Sequence, residues 1–362
     1  MEEEHPRNTL LGDLVENDVT YEDLMVVERD LWDAEVEMLR HQIVVYEHIY
    51  ARRAAFADRI KNFWPLVFEQ APPEIDRYFT IDDQKILLYS LLSFSVHRFE
   101  FDTAAPSKGD PRSLSFRFTF KENQFFEETV LEKKFWNRMG KDHICRLVSE
   151  PVRITWKEGV NKEKFGNDLT YGVLDLVCDV FEAEKKATNG TPKATKELAR
   201  LQKELKKEIE KGLGGHSFFA WFGYVGPKIS AEESAANTAK YAEKRRKEKA
   251  GEVPTEEEIE AAAEEDEDYE DHDESREIFL GGGETLATHL AEELWPDALK
   301  FFGLALEETT KSDSEFESDD DDDDGDEDVD EQPAKIPGPD GEDAKIAEDD
   351  SDDERPKKKR KN

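Results

Sequence analysis

Residues 18–64 read DVTYEDLMVVERDLWDAEVEMLRHQIVVYEHIYARRAAFADRIKNFW and contain neither proline nor glycine. Apolar residues recur in this stretch at helical spacing in two neighbouring rows. Asp18 or Thr20 can cap the first turn, and Pro65 marks the far end. The pattern predicts one helix over residues 18–64, about 70 Å long at 1.5 Å per residue.

The two rows make an apolar stripe that is wider than a solitary exposed helix can leave uncovered. We therefore expect the helix to pair with a second copy of the chain, and the alternative is a core helix packed wholly within its own monomer. His41, His48 and Arg52 fall on or near the seam, so the heptad is imperfect. The predicted dimerisation residues are Leu24, Val27, Leu31, Trp32, Met38, Leu39, Val45, Tyr46 and Ile49.

After the helix the apolar period changes to two, which is typical of strands. Leu114, Phe116, Phe118 and Phe120 alternate with polar residues, so one face is expected in the core and the other in water. Further strands are predicted at 93–101, with a register shift near 97–98, and at 125–135 and 151–157. The fold class is α+β: a helix at 81–92 and a four-stranded antiparallel meander packed by helices.

The remaining organisation follows from composition. Residues 1–17 are predicted to be disordered, 65–306 to form one domain, and 307–362 to form a disordered acidic tail. Two segments interrupt the domain as inserts, at about 165–211 and 228–277. The first insert carries helical patterns at 169–186 and 195–211, and its function cannot be read from the sequence.

The charge of the chain is strongly negative, with 50 Lys+Arg against 88 Asp+Glu and a formal net charge of −38. Residues 252–277 hold 15 acids and one base, and residues 307–354 hold 25 acids and three bases. Such a chain repels nucleic acid phosphates and attracts polycations. The sequence therefore argues against direct binding to nucleic acid and favours a basic protein partner.

Motifs for catalysis and cofactors are weak in this sequence. There is no HExxH and no recognisable nucleophile arrangement, so we assign no catalytic residue, cofactor or metal ligand. Cys145 and Cys178 are expected to be passive thiols. An EF-hand spacing is matched by Asp320, Asp322, Asp324, Gly325 and Glu331. Any long run of aspartates satisfies this spacing by chance, however, and the flanking segments are not amphipathic. A calcium-binding protein or enzyme is the contrary, least favoured class.

Targeting signals point to the nucleus. No apolar run is long enough to span a bilayer, and Met1-Glu2-Glu3-Glu4 is the reverse of a signal-peptide start, so no membrane association is expected. A compact basic cluster predicts nuclear import, with shuttling to the cytoplasm left open. It comprises Pro356, Lys357, Lys358, Lys359, Arg360 and Lys361.

Several sequence blocks occur in a recognisable order: IKNFWPLVF at 60–68, SLSFRFTFKENQFFEETVLEKKF at 113–135, ITWKEG at 154–159, SFFAWF at 217–222 and EELWPDALKFF at 292–302. With the long helix and the acidic tail, this order resembles the nucleosome assembly protein superfamily, closest to its SET/template-activating-factor branch of histone chaperones. The resemblance implies a homodimer joined by the long helix, with two α+β "earmuff" domains and a concave, histone-binding underside.

Carried over by position, the resemblance implies that Glu284, Glu292, Glu293 and the segment 217–223 lie near that underside. The histone-binding candidates are Glu284, Glu292, Glu293, Ser217, Trp221 and the tail acids Asp319, Asp320, Asp321, Asp322, Asp323 and Asp324. Ala220 and Gly223 replace hydroxyl residues of the SET-like segment, and the 165–211 insert is longer than the loop of the animal relatives.

The sequence therefore predicts a nuclear, non-enzymatic histone chaperone that binds core histones and promotes nucleosome assembly and chromatin remodelling. Charge complementarity does not discriminate among the histone pair of the central tetramer, the pair of the flanking dimers and linker histone. The alternative is an adaptor that presents histones to a histone-modifying enzyme or masks them from it.

Overall fold

The computed structural model describes residues 21–105, 108–157, 168–187, 192–210, 217–250, 279 and 282–316. The predicted N-terminal segment 1–17, the acidic segment 252–277 and the tail from residue 317 lie outside the described residues. The chain divides into two units, residues 1–313 and 314–362, and the architecture below belongs to the first.

The long helix α1 runs from Tyr21 to Ala57 and is about 55 Å long, so the prediction that it continues to residue 64 is wrong. After Ala57 the hydrogen bonds tighten to three-residue turns, and Asn62 adopts a left-handed conformation with φ 60°. Asparagine tolerates this conformation better than most residues, and Asn62 is the N-cap of the next helix. Pro65 lies instead in the first turn of the next helix, where its missing N–H needs no partner.

Three short helices connect α1 to the sheet. They are α2 (Phe63–Glu69), α3 (Pro73–Asp76) and α4 (Ile81–Ser90), the last in the place that the sequence predicted. The start of α4 is fixed by a capping box. The Thr80 hydroxyl accepts the N–H of Asp83 at 3.2 Å, and the Asp83 carboxylate accepts the N–H of Thr80 at 2.9 Å.

The sheet is the predicted four-stranded antiparallel meander, in the order β1-β2-β3-β4. Its strands are β1 (Leu91–His97), β2 (Leu114–Phe120), β3 (Val130–Met139) and β4 (Cys145–Ser149). The fourth strand was predicted at 151–157, which instead forms only an isolated bridge between Trp156 and Phe126. The register shift lies between Leu91 and Ser93, not near residues 97–98.

The third strand begins five residues later than predicted because a polar side chain turns the preceding segment away from the sheet. The Asn123 side-chain oxygen accepts the N–H groups of Phe125 and Phe126 at 2.9 and 3.0 Å. This Asx turn directs both aromatic rings into the core, where they are buried. The aromatic content of 125–129 therefore reflects core packing, not a strand.

The core lies on the aromatic face of the sheet. Phe116, Phe118 and Phe135 are fully buried there, together with Phe94 and the rings of the segment 218–222. Burying each such side chain contributes about 1.5–3 kcal/mol. The alternation seen in β2 thus places its rings against helices, as predicted.

The helices of the 165–211 segment also join this core. They are α5 (Asp168–Ala187) and α6 (Pro192–Glu210). Leu174 and Val177 of α5 are buried against the core, and Leu201 and Leu205 of α6 are buried with them in the same cluster. The segment that the sequence indicated as an insert therefore completes the core of the domain.

The remaining elements carry the chain back to the long helix. They are a 3₁₀ helix (Phe218–Gly223), α7 (Ala231–Lys249), α8 (Gly283–His289), a π-helix (Leu290–Leu294) and α9 (Ala298–Phe316). Helix α7 lies within the predicted insert 228–277. Residues 307–316 form the last turns of α9, so the prediction that the disordered tail begins at residue 307 is wrong.

A buried lysine joins the 3₁₀ helix to the sheet. Lys133 on the core face of β3 has no exposed surface, and its ammonium donates to the carbonyls of Glu150, Phe222 and Tyr224 at 2.7, 3.0 and 2.5 Å. Burial holds the pKa of Lys133 well below its usual value, and the nearby Glu150 carboxylate opposes this shift. Three carbonyl acceptors match the three donors of a protonated ammonium.

Replacing Lys133 with methionine is expected to lower the free energy of unfolding by about 2–3 kcal/mol, because the carbonyls of Glu150, Phe222 and Tyr224 each lose one hydrogen bond. Urea denaturation measures the change. The control is Lys134→Met, on the opposite face of β3, which should stay within about 0.5 kcal/mol of the parent. Equal effects of the two substitutions would contradict the anchoring role.

Candidate functional site

The segment 217–223, predicted to contact a histone, forms the centre of the core. Trp221 is fully buried, and its indole N–H donates to the carbonyl of Gly283 at 2.8 Å. Its ring lies against Phe116 and Phe135, at centroid distances of 5.2 and 5.3 Å. The expectation that Trp221 presents its side chain to a partner is therefore wrong, because the ring has no exposed surface.

Ser217 is engaged within the chain as well. Its hydroxyl donates to the Asp83 carboxylate at 2.7 Å and accepts the N–H of Phe219 at 3.2 Å. The same carboxylate accepts the N–H of Phe218 at 2.9 Å. Burial raises the pKa of Asp83, and these donors oppose the rise. Asp83 and Lys133 thus fasten the two ends of the 3₁₀ helix, and Ser217 serves as its N-cap.

The two residues that depart from the SET-like segment, Ala220 and Gly223, lie inside the domain. Ala220 and Gly223 are both fully buried among the aromatic rings. A hydroxyl at either position would face the core, so these replacements do not remove an exposed histone contact.

The glycines before α8 allow this helix to approach the 3₁₀ segment. Gly282 has φ +83°, a conformation that favours glycine. A Cβ on Gly283 would lie 2.3 Å from the ring of Tyr224. Together with the Trp221 hydrogen bond, this close packing sets the position from which α8 and the π-helix begin.

The three predicted acidic residues of this helical segment differ in their surroundings. Glu284 is half-buried, and its carboxylate accepts the N–H of Leu147 in β4 at 3.2 Å. Glu293 contacts His289 at 2.7 Å. Glu292 is exposed and lies near Arg98. Of the three, Glu292 is the best placed to meet a partner, whereas Glu284 also supports the edge of the sheet.

The predicted dimerisation residues fall on two faces of α1. Leu24, Val27, Leu31, Met38, Val45 and Ile49 form an exposed row, in which Met38 is 71% exposed. Phe56, which is 55% exposed, extends this row by two turns. It was not among the residues predicted to lie in the dimer interface. Trp32 is also exposed, at 49%, but lies off this row. Leu39 and Tyr46 lie on the face toward the sheet, where Tyr50 contacts Trp295 at 5.5 Å. The structure thus separates the two rows seen in the sequence.

A third face of α1 is taken by α7 of the same chain. Arg245 is buried and forms ion pairs with Asp30 at 2.5 Å, Asp33 at 3.4 Å and Glu248 at 2.9 Å. Arg29 of α1 pairs with Glu248 at 3.1 Å. The sequence did not predict this contact, because nothing in the basic run of α7 indicates that its acidic partners lie in α1. Asp33, for example, is 212 residues away from Arg245.

A buried arginine sits where α1 meets the end of the π-helix. Arg53 is 6% exposed and stacks on Trp295, with its guanidinium carbon 4.0 Å from the ring centroid. It donates to the carbonyls of Trp295 and Pro296. Burial lowers the pKa of Arg53 to about 10, so the side chain stays cationic at neutral pH. This stacking fixes α1 to the domain.

Other chemistry is sparse in the described part of the chain. Within it, no group of three or more His, Cys, Asp or Glu side chains is arranged to hold a metal ion. The helices there include none of the length and apolarity that a bilayer span requires. Both cysteines are free, and burial raises the pKa of Cys178 to about 11. The tail acids 319–324 and the basic cluster 356–361 lie outside the described residues.

Comparison with known proteins gives the family. The family model described as nucleosome assembly protein matches residues 46–303, well over half of the chain. The chain therefore belongs to the nucleosome assembly protein family, as the sequence blocks predicted, while its place in the SET branch stays a prediction.

Individual relatives are distant. A Schizosaccharomyces pombe protein described as a nucleosome assembly protein is 30% identical over 149 residues, 38% of this chain and 58% of its own length. NAP1-related protein 1 of Oryza sativa is 26% identical over 40% of this chain and 49% of its own length. The chain thus spans about half the length of these curated relatives.

Solved structures with a similar fold include Ccp1, 20% identical over 79% of this chain and 95% of that chain, with a TM-score of 0.41. The Vps75 histone chaperone is 18% identical over 78% of this chain and 97% of that chain, with a TM-score of 0.40.

Replacing Gly283 with alanine is expected to cost about 1–3 kcal/mol of stability, because the new Cβ overlaps the Tyr224 ring. The matched control is Gly303→Ala in α9, where a Cβ meets nothing within 4 Å. That change should stabilise the helix by up to about 1 kcal/mol. Thermal unfolding of the two variants measures both effects. A Gly283→Ala variant as stable as the parent would show that the close approach to Tyr224 is dispensable.

Proposed function

We propose that this protein is a histone chaperone that binds basic core histones through acidic surfaces and its acidic tail, and so promotes nucleosome assembly and chromatin remodelling. The observation that carries the proposal is the combination of family membership with a formal charge of −38. The buried polar groups of the described residues serve packing, so the proposal requires no catalytic step.

The physical basis is competition with DNA. Histones carry lysine- and arginine-rich surfaces that associate with DNA without sequence preference. A polyanionic protein attracts the same surfaces over long range and lowers the free histone concentration. Exposed charges are screened beyond about 8 Å at physiological ionic strength, so the attraction must weaken as salt is added. Release to DNA then follows mass action.

The proposed active form is a homodimer joined by α1. The exposed apolar row runs from Leu24 to Phe56, on a face that neither the sheet nor α7 covers. Such a long exposed apolar surface is rare in a monomer and is typical of an interface. Heptad-like spacing favours a paired helix as the occupant.

The charge distribution along α1 favours an antiparallel pair. Residues 21–39 hold seven acids and one arginine, whereas residues 40–57 hold three arginines and one acid. An antiparallel arrangement places the acidic half of one helix beside the basic half of the other. A parallel arrangement would instead align the acidic halves, which repel.

Leu31→Asp combined with Val45→Asp is expected to give a folded monomer, because two buried carboxylates would interrupt the interface. Sedimentation equilibrium measures the mass, and the parent should have twice the 41.7 kDa of the chain. The matched control is Val44→Asp, an exposed valine on the same helix outside the apolar row, which should stay dimeric. A monomeric parent would contradict the pairing of α1.

The tail and the folded domain can be separated by titration. The full chain is expected to bind core histone complexes at moderate salt, with an affinity that falls as salt rises. A variant lacking residues 317–354, which leaves α9 intact, should bind more weakly and with a shallower salt dependence, because 21 acids are removed. Fluorescence titration with each histone complex measures both quantities. If the deletion changed neither, the tail would serve solubility alone, and failure of the full chain to bind any histone complex would defeat the proposed function.

We further propose nuclear localisation through the basic cluster 356–361. Its support is the sequence alone, together with a partner class that resides in chromatin. Regulation of a histone-modifying enzyme stays a secondary hypothesis, since no feature of the described residues distinguishes it.

A further inference from the structure

An open groove of about 700 Å³ lies between α1 and the sheet. Along α1 its wall extends from Leu39 to Ala54, about 22 Å at the rise of a helix. Its other walls are the end of β1 and the turn that contains Trp295 and Pro296. The volume is in the range of protein ligand sites, and the length suits an extended chain of six or seven residues at about 3.3 Å each.

The strand that lines this groove is at an edge of the sheet. β1 pairs only with β2 in the described sheet. Ser95, Val96, His97 and Arg98 all line the groove, although successive side chains of a strand point to opposite faces. Four consecutive residues can border one cavity when the cavity runs along the backbone edge. The groove therefore follows the outer edge of β1.

The hydrogen-bond alternation shows which groups that edge exposes. The N–H of Phe120 in β2 donates to the carbonyl of Thr129 on the β3 side at 2.8 Å, so odd-numbered residues of β2 point toward β1. Their register partners in β1 are also odd-numbered: Ser93, Ser95 and His97. Phe94 and Val96 consequently direct their N–H and C=O groups away from β2. Of the two, Val96 lines the groove, whereas Phe94 is 1% exposed and does not, so Val96 is the residue that can offer its N–H and C=O to an occupant.

The side chains around the edge define the chemistry of an occupant. Tyr46, Tyr50 and Trp295 supply aromatic walls, and the exposed carboxylates of Glu47 and Glu292 stand on either side. Aromatic faces and carboxylates together suit aliphatic stems that end in a positive charge. The cations at the groove are Arg98, which donates to the carbonyl of Pro111 at 2.8 Å, and the buried Arg53 beneath Trp295. With a chain charge of −38, an acidic segment is disfavoured.

We propose that this groove binds an extended, lysine- or arginine-containing segment of a histone tail, which pairs with the outer edge of β1 at Val96. The inference rests on the proposed function and specifies one recognition mode for the same class of partner. Main-chain hydrogen bonds to Val96 add to the affinity, and the aromatic walls with Glu47 and Glu292 select basic residues.

The test uses the full-length protein and synthetic peptides that span the N-terminal tails of histones H3 and H4. Peptide binding is followed by fluorescence anisotropy, and amide exchange is followed with and without peptide at single-residue resolution. Pairing along this edge predicts that the amide of Val96 exchanges at least tenfold more slowly in the complex. The amides of Ser93 and Ser95, already bonded to β2, should change little.

Two matched pairs of variants separate the backbone from the charges. Val96→Pro removes an outward N–H that makes no bond to β2, a position where edge strands tolerate proline. It should weaken peptide binding about five- to tenfold, whereas Val96→Thr, which keeps the backbone, should stay within about twofold. Glu47→Gln with Glu292→Gln should also weaken binding. The charge control is Glu232→Gln, an exposed carboxylate on α7 outside the groove.

The outcomes distinguish this inference from the proposed function. Binding of whole histone complexes with no exchange protection at Val96 would overturn pairing along β1 and leave the chaperone function standing. Loss of affinity in the glutamine variants without that protection would also overturn it, because charge alone would then explain binding. If Val96→Pro fails to fold, the exchange measurement on the parent protein decides the matter.

Discussion

Three hydrogen bonds from a single buried ammonium hold the molecule in the arrangement on which its surfaces depend. Lys133 brings the carbonyl ends of the 3₁₀ helix onto β3, and Asp83 fastens the start of that helix to α4. Trp221 then fixes Gly283, from which α8 and the π-helix proceed to Glu292. The position of the acidic surface is thus set from inside the core. Polar groups that are fully satisfied in this way specify one packing arrangement among many hydrophobic alternatives.

Helix α1 shows how one long amphipathic segment serves several contacts. One face packs on the domain through Tyr50 and Arg53, and another meets α7 through the ion pairs of Arg245. The third face keeps its apolar residues exposed along the whole helix. Because the first two faces fix the helix to its own domain, a partner on the third face would hold two domains at a defined separation. The dimer and the histone surface are therefore physically linked in this account.

The sequence predicted the architecture well where periodicity was long and strong. The alternation of Phe116, Phe118 and Phe120 identified β2, and two apolar rows identified α1. It failed where a single polar side chain redirected the backbone. Asn123 turned Phe125 and Phe126 into the core, and Asn62 caps the start of a new helix within the stretch predicted to be one. The surface role of Trp221 was wrong for a related reason: a short aromatic segment gives no periodic signal that distinguishes core from surface. A histone contact of Ser217 stays a prediction. Groups such as Lys133 and Arg245 look like ordinary surface cations until their partners, remote in sequence, are known.

The central claim is that this chain accepts histones and delivers them to DNA. Plasmid supercoiling tests it directly: relaxed circular DNA, core histones at moderate salt and a topoisomerase are incubated with increasing amounts of the full-length protein. The account predicts that negative supercoils accumulate in proportion to the chaperone, up to saturation of the histones. If the folded, dimeric protein produced no more supercoils than histones alone, the account would be contradicted.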